Sequence, residues 1–382
     1  MIGKVQTIAK GGAGIVRDAD HTVFVPGVIS GETVEFSLLG RQKSIWRGKL
    51  LRVLEASPQR VEPTCLHAPL CGGCNLQHMS YAEQLRCKTE IMLANLKKIA
   101  GVELPVAPGI LTSPPWRYRS KSEFQVRDGV GGFFKKESHQ VVAIGQCLLL
   151  PEGVESFFLG QRAALSVFPS AQLQVVSNGR ELAARLQETD GRETWLSRAQ
   201  TVRFESGPFA YQFAPDNFIQ SNLFQLRPML DLLENALNGL ETATAADLFC
   251  GCGFFTMLLA TRCKNVLALE NNPRNMAALQ TNLDLNRIRN VRVMQADILH
   301  AELPPAALYV ADPPRGGLSP AVINALVRGG AETIIYFSCD SATFARDVRF
   351  FVSRGFGITA LQLIDNFPQS DHFEIFSVLK KK

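Results

Sequence analysis

Between Gly3 and about Leu54, apolar residues come in short alternating runs: GKVQTIA, GIVRD, TVFVPGV, ETVEFSLLG and IWRGKLLRVLE. The turn signals GG, GAG, PG and SG separate them, and five short strands in so little chain predict a small β-barrel. Residues 58–78 are rich in Pro, Cys, His and Gly and read as a loop. The following MSYAEQLRCKTEIMLANLKKIAGV repeats its apolar positions every three or four residues, as an amphipathic helix does. Ser80 stands at the cap position, with Glu83 placed to complete a capping box. Alternation of period two returns over 115–205 (SKSEFQVRDG, GGFFKK, QVVAIGQC, AQLQVVS, ELAARLQE, TVRFES) and predicts a second β-rich region.

From about residue 208, short apolar strands (ATAADLFCGCGFF, NVLALENN, VRVMQAD, ALYVADPPRGG, TIIYFSCD) alternate with helical stretches such as NPRNMAALQTNLDLN. That texture predicts a parallel, doubly wound α/β sheet. The expected division is a barrel over 1–57, a central β-rich domain over 58–205 and an α/β domain over 206–382, with the helix at 80–100 packing on the α/β domain. No internal repeat or low-complexity tract is visible.

At 382 residues and 46% hydrophobic, the chain can bury two or three cores. It has no uninterrupted apolar stretch near the roughly 20 residues that span a bilayer, and MIGKVQTIAKGGAG lacks the apolar segment of a secretory signal. A cytoplasmic protein, probing no membrane and acting as a monomer, is expected. The net charge of +5 is unevenly spread: residues 1–140 hold 19 Lys and Arg against 12 Asp and Glu, the remainder 21 against 23. A basic N-terminal arm suits a polyanion such as RNA. Arg41, Lys43, Trp46, Arg47 and Lys49 fall together on the barrel, where Trp46 either stacks on bases or fills the interior.

In the α/β half, Asp247-Leu248-Phe249-Cys250-Gly251-Cys252-Gly253 follows a strand and opens a helix, so its glycines let the backbone approach a ligand. The next strand ends in Glu270, suited to a ribose diol, and the third ends in Asp297, suited to an adenine amino group. Loop, acid and acid at successive strand ends form the ligand-binding edge of an open α/β sheet. The arrangement resembles class I S-adenosylmethionine methyltransferases, with a Rossmann-like sheet; a nicotinamide dehydrogenase would share only its first two features. The fourth strand ends in ADPPRGG, where Arg315 stands in place of the aromatic residue typical of amino-group methyltransferases. That departure points away from N-methylation.

Carbon 5 of uracil is too weak a nucleophile to take a methyl group directly. A thiolate adding to C6 makes C5 nucleophilic, after which a base removes the C5 proton and the thiol leaves. Cys339, in YFSCDSATFARD after the fifth strand and before a helix whose N-terminus would favour a thiolate, is the candidate nucleophile. Glu374, in DNFPQSDHFE before the last strand EIFSVLK, is the candidate base.

The segments FIQSN, DLFCGCG, ADPPRGG, FSCDSATFARD and DNFPQSDHFE occur in the order found in the RNA uracil-5-methyltransferase family, which the chain resembles over the α/β half and upstream of it. The resemblance implies Cys339 as nucleophile and Glu374 as proton acceptor, with Gln220, Phe249, Glu270, Asp297 and Asp312 at S-adenosylmethionine. The family more often has Pro at position 341, Thr at 370 and Asn at 254, where this chain has Ser341, Ser370 and Phe254.

Nine cysteines, an odd and clustered set, suit a reducing compartment and metal or catalytic use. Cys65, Cys71 and Cys74 have the density of zinc or iron–sulfur ligands, and spacing leaves the fourth open between nearby Cys87 and distant Cys147. Members of the family that carry a four-cysteine cluster imply Cys147 and [4Fe–4S]; the N-terminal strands likewise resemble a TRAM domain, an RNA-binding barrel. The resemblance implies ribosomal RNA, specifically 23S, as substrate, with transfer RNA next. Cytosine-5 methylation and a non-catalytic RNA-binding metalloprotein are the remaining alternatives.

Overall fold

The structure is a computed structural model that describes residues 1–17, 20–43, 45–240, 243–300 and 302–382. Asp18, the end of the second expected strand, lies outside them. Strands β1 (Ile2–Ile8), β2 (Ala13–Arg17), β3 (Thr22–Pro26), β4 (Thr33–Gln42) and β5 (Ile45–Glu55) close into a barrel of order β1-β2-β3-β5-β4. Alternate residues Val5, Val16, Val23, Val25, Val34 and Phe36 fill it, and closure leaves no open sheet edge. The architecture fits a TRAM or OB-like domain. Trp46 takes neither extreme: it is half-buried against the barrel core, with His21 at its edge.

Leu76, Met79 and Cys87 seal the barrel from below, tying it to α1 (Tyr81–Asn95). Ser80 caps α1, its Oγ accepting from Glu83 N at 3.3 Å. The capping box is not closed, because the Glu83 carboxylate turns to Arg86 and the Ser80 amide donates to Gln59 O.

The central domain is a six-stranded sheet of order β12-β11-β10-β7-β8-β9, from β7 (Lys121–Arg127), β8 (Val130–Phe134), β9 (Val141–Ala143), β10 (Ser170–Ser177), β11 (Leu182–Glu188) and β12 (Glu193–Trp195). Two helices not expected from the alternation, α2 (Glu152–Gly160) and α3 (Arg162–Leu165), cover it. Val154, Phe158 and Leu165 recur at helical spacing and pack on the sheet, Phe158 stacking on Phe124 at 4.0 Å. The hairpin β13 (Val202–Ser206) and β14 (Phe209–Phe213) follows. It packs with α4 (Leu226–Leu237) and joins the core of the catalytic domain.

The catalytic sheet contains β15 (Thr244–Leu248), β16 (Asn265–Glu270), β17 (Val291–Gln295), β18 (Leu308–Ala311), β19 (Thr333–Ser338), β20 (Phe356–Ile364) and β21 (Glu374–Lys381). Its order is β17-β16-β15-β18-β19-β21-β20-β6, where β6 (Gly109–Leu111) is lent by the chain before the central domain. The strands are parallel except β21, which runs antiparallel between β19 and β20. Helices α5 (Thr256–Arg262), α6 (Pro273–Leu285), α7 (Pro320–Arg328) and α8 (Ser341–Val352) cross over between them. The chain reverses its winding between β15 and β18, and such a switch point opens a ligand crevice at the carboxyl ends of the strands.

Helix α1 and the π-helical turn after it, Leu96–Ala100, lie against α8, with Ile91, Met92 and Leu96 in one core with Phe344, Val348 and Phe351. Burial of each such side chain contributes about 1.5–3 kcal/mol. Deep in this contact Lys88, fully buried, donates to Asp365 Oδ1 (2.5 Å) and Phe367 O (3.1 Å). Removing one partner of a buried ion pair strands the other, so Lys88→Met should cost about 3–5 kcal/mol in urea unfolding. Lys88→Met combined with Asp365→Asn should recover much of that; equal losses would show that the ion pair is not what holds the contact.

Candidate active site and cysteine cavity

A cleft of about 850 Å³ opens at the carboxyl edge of the catalytic sheet and is bounded on its far side by the central domain. The loop after β15 forms its floor. Phe249 adopts a left-handed conformation (φ +60°), a strained state for a side chain of its size, and turns the chain sharply at the strand end. Gly253 has φ +87°, and a Cβ there would meet Leu279 Cδ1 at 2.4 Å, so glycine is required where the loop packs on α6. Glu270 accepts from Gly251 N (2.9 Å), Asn271 N (3.0 Å) and Asn272 N (2.7 Å), which fixes its carboxylate at the cleft wall. Gln220 lies opposite, its Nε2 donating to Asp312 Oδ2 at 2.9 Å.

Gln220, Phe249, Glu270, Asp312, Cys339 and Glu374 all line this one cleft. Asp297 does not: it is exposed beyond β17, its Oδ2 2.7 Å from His300 Nδ1. The geometry therefore gathers six of the seven residues expected at the reacting centre and cofactor.

The electrostatics are those of a crowded acidic pocket. Burial, then the charge of Asp312, pushes the Glu374 carboxyl well above the usual range, with Arg315 opposing. Burial raises Asp312 to about 6 despite its bond from Gln220, and burial raises Asp247 to about 7 although Thr256 donates to it at 2.6 Å. Burial, then Glu374 and Asp312, lifts the Cys339 thiol to about 12. This overturns the expectation that the α8 N-terminus favours the thiolate. The first free amides of α8, Ala342 N and Thr343 N, are taken at 3.0 Å each by the Asp340 carboxylate. A cation beside these carboxylates offsets the charge part of these shifts, and the sulfonium of S-adenosylmethionine is such a cation.

The walls are held from behind. Asp347 on α8 accepts from Leu318 N (2.7 Å) and Tyr336 Oη (2.8 Å), and Arg346 donates to Gly316 O and Leu318 O, so the Pro313–Leu318 loop is fixed by the same helix that follows Cys339. The 365–373 loop leading to Glu374 is fixed by Lys88, by Gln84 bonding Gln369 through both amide atoms, and by Tyr118 Oη donating to Pro368 O at 2.9 Å. Sequence reasoning assigned no role to these, nor to Arg119 and Lys121 of the central domain, which face the cleft. Arg346 and Asp347 were readable only as members of the FSCDSATFARD segment.

Cys65, Cys71, Cys74 and Cys147 line one small cavity between the loop and the central sheet, with Gln77 and Arg119. Cys87 is elsewhere, buried in the barrel core beside Glu83. Burial, then the charges of Cys147, Cys71 and Cys65, raises Cys74 to about 12; burial also raises Cys71 and Cys147. Among the described residues no three Cys, His, Asp or Glu side chains are gathered as ligands of a single ion.

The strand order, with β21 antiparallel between β19 and β20, and the switch-point cleft are those of the class I methyltransferase fold. The family model described as tRNA (Uracil-5-)-methyltransferase matches residues 192–308 and 305–382. A 23S rRNA (uracil(1939)-C(5))-methyltransferase of Pseudomonas entomophila is 30% identical over 98% of this chain and 92% of its own. Its counterpart in Vibrio campbellii is 30% identical over 99% of this chain and 95% of its own. The crystal structure of Pyrococcus abyssi tRNA (uracil-54, C5)-methyltransferase with S-adenosyl-L-homocysteine superimposes with a TM-score of 0.80 at 20% identity, covering 99% of both chains, and shows the shared fold. The chain belongs to the RNA uracil-5-methyltransferase family, whose members methylate carbon 5 of a uracil in RNA at the expense of S-adenosylmethionine.

Proposed function

We propose that the chain methylates a uracil of 23S ribosomal RNA with Cys339 as covalent nucleophile and Glu374 as proton acceptor. The observation that carries the reading is the meeting of Cys339, Glu374, Asp312 and Gln220 in one cleft at the cofactor edge. Gln220, Phe249, Glu270 and Asp312 hold S-adenosylmethionine, which supplies an electrophilic methyl group; Asp297 reaches the adenine only if the segment after β17 turns inward. The Cys339 thiolate adds to C6 of the uracil, and the displaced pair makes C5 nucleophilic toward the methyl carbon. Glu374 then takes the C5 proton, its pair reforms the C5–C6 double bond, and the Cys339 sulfur leaves. A target stacked in folded RNA must be turned out into the cleft first.

The 23S substrate is favoured by the curated relatives that match end to end. Transfer RNA is the second reading, favoured by the description of the matching family model. Labelled S-adenosylmethionine and total RNA lacking the modification distinguish them. Label in a uracil of 23S RNA supports the first, label in transfer RNA alone the second; label on cytosine or nowhere overturns both. On this reading the enzyme works in the cytoplasm as a monomer, and the barrel acts as a TRAM domain that helps to hold the RNA.

We also infer that Cys65, Cys71, Cys74 and Cys147 ligate a [4Fe–4S] cluster. An all-sulfur donor set lining one cavity fits iron–sulfur ligation. The cluster would staple the loop to the central sheet. An anaerobic preparation should be brown and contain iron; Cys147→Ser should lose both and Cys87→Ser should keep them. Stoichiometric zinc in a colourless protein would contradict the assignment.

A further inference from the structure

The turn between β1 and β2 of the barrel reaches the catalytic residues from more than 300 positions away. Lys10 Nζ pairs with Asp340 Oδ2, while Asp340 Oδ1 caps α8 through Ala342 N and Thr343 N. Asp340 directly follows Cys339, so one carboxylate joins the barrel turn to the start of the helix behind the nucleophile. The next residue, Gly11, donates its amide to Asp371 Oδ2 at 2.7 Å, three residues before Glu374. Asn75 locks this second joint: its Nδ2 donates to Gly11 O (3.0 Å) and Asp371 Oδ1 (2.7 Å), and its Oδ1 accepts from Asp371 N (2.9 Å). Gly11 has φ +93°, which lets the turn present its amide and carbonyl to these partners.

The Asp340 side chain is only 12% exposed and the Lys10 side chain 51%, so the contact is a half-buried, charge-assisted one rather than a fully solvated pair. Without Lys10, Asp340 keeps its cap on α8 but loses its tether to the barrel turn.

We propose that Lys10 is a positioning residue for the methylation reaction, acting through Asp340 to hold Cys339 in line with Glu374 and so coupling the RNA-binding barrel to the reacting centre. The proposal rests on Cys339 being the nucleophile. It differs from a role in RNA affinity, the bland alternative for a lysine on a basic barrel.

A double-mutant cycle separates the two. The full-length protein is taken as wild type, Lys10→Met, Asp340→Asn, the double variant and Lys10→Arg. RNA affinity is measured at several salt concentrations, and single-turnover methylation and covalent adduct formation are measured at saturating RNA. Lys10→Met should slow adduct formation about tenfold at saturating RNA, within the range that small misplacements of reacting groups cost. Its RNA affinity and salt slope should stay near wild type, Lys10→Arg should restore most of the rate, and the double variant should be no slower than Asp340→Asn alone. Additive losses, or a lowered salt slope with unchanged single-turnover rate, would overturn the proposal and make Lys10 a phosphate contact. Failure of wild-type enzyme to form any adduct would instead remove the nucleophile assignment, a different and distinguishable result.

Discussion

Cys339→Ala should lose methyl transfer to RNA by at least about 10⁴-fold while binding S-adenosylmethionine with little change. The loss follows from chemistry rather than fold: without a sulfur to add at C6, C5 never becomes nucleophilic, and no neighbouring group replaces it. Cys339 is half-buried in the cleft wall, and its truncation removes one sulfur from a site already open to solvent, so the melting temperature should hold. Calorimetric titration with cofactor and single-turnover methylation check the two halves of this expectation separately. Retained methylation would mean that another residue is the nucleophile.

Glu374→Gln should produce the opposite kinetic signature. Addition and methyl transfer precede proton removal, so the variant should halt after them and accumulate protein covalently joined to methylated RNA, visible as a slowly migrating band under denaturing conditions. Turnover should fall by about 10²–10⁴-fold, the usual contribution of a positioned base. The wild-type pH profile follows from the same residue. Because burial and Asp312 raise the Glu374 carboxyl, the ionised base is present above its raised pKa and is lost as pH falls through it. The acid limb of kcat/KM should therefore lie above the range of an ordinary glutamate; a limb in the ordinary range would contradict this.

Much of this site was legible in the chain because strand-end chemistry follows strand periodicity. Short apolar runs located β15, β16, β18 and β19, and the residues just beyond them, Phe249, Glu270, Asp312 and Cys339, necessarily fall on one edge of a parallel sheet. What was not legible depends on contacts between distant segments. Strand β6 joins the catalytic sheet by pairing with β20, a partnership no local pattern announces. Helices α2 and α3 were hidden in an apolar stretch whose few residues fit either period. The thiol was not legible because helix position alone suggested a favourable dipole, whereas burial, then Glu374 and Asp312, raise the sulfur. Lys88 and Asn75 bond the loop before Glu374, and Lys10 bonds Asp340, across hundreds of residues, contacts no local pattern announces.

The barrel, the cysteine loop and α1 thus grip the catalytic domain directly. They bond to the segment 365–371 through Gly11, Asn75, Gln84 and Lys88, and that segment delivers Glu374 to the cleft. The loop after β15 is braced separately, by Glu270 and by α6.

The central claim is a bond between Cys339 and C6 of the target uracil. RNA carrying 5-fluorouracil at the methylated position has no C5 proton for Glu374 to remove, so after addition and methyl transfer the protein should stay attached. Incubating wild-type enzyme with this RNA and S-adenosylmethionine, digesting both polymers and sequencing the modified peptide by mass spectrometry locates the bond. A methylated fluorouracil nucleotide on Cys339 is the result expected; a nucleotide on any other residue, or methylation of ordinary RNA with no trapped peptide, would contradict it.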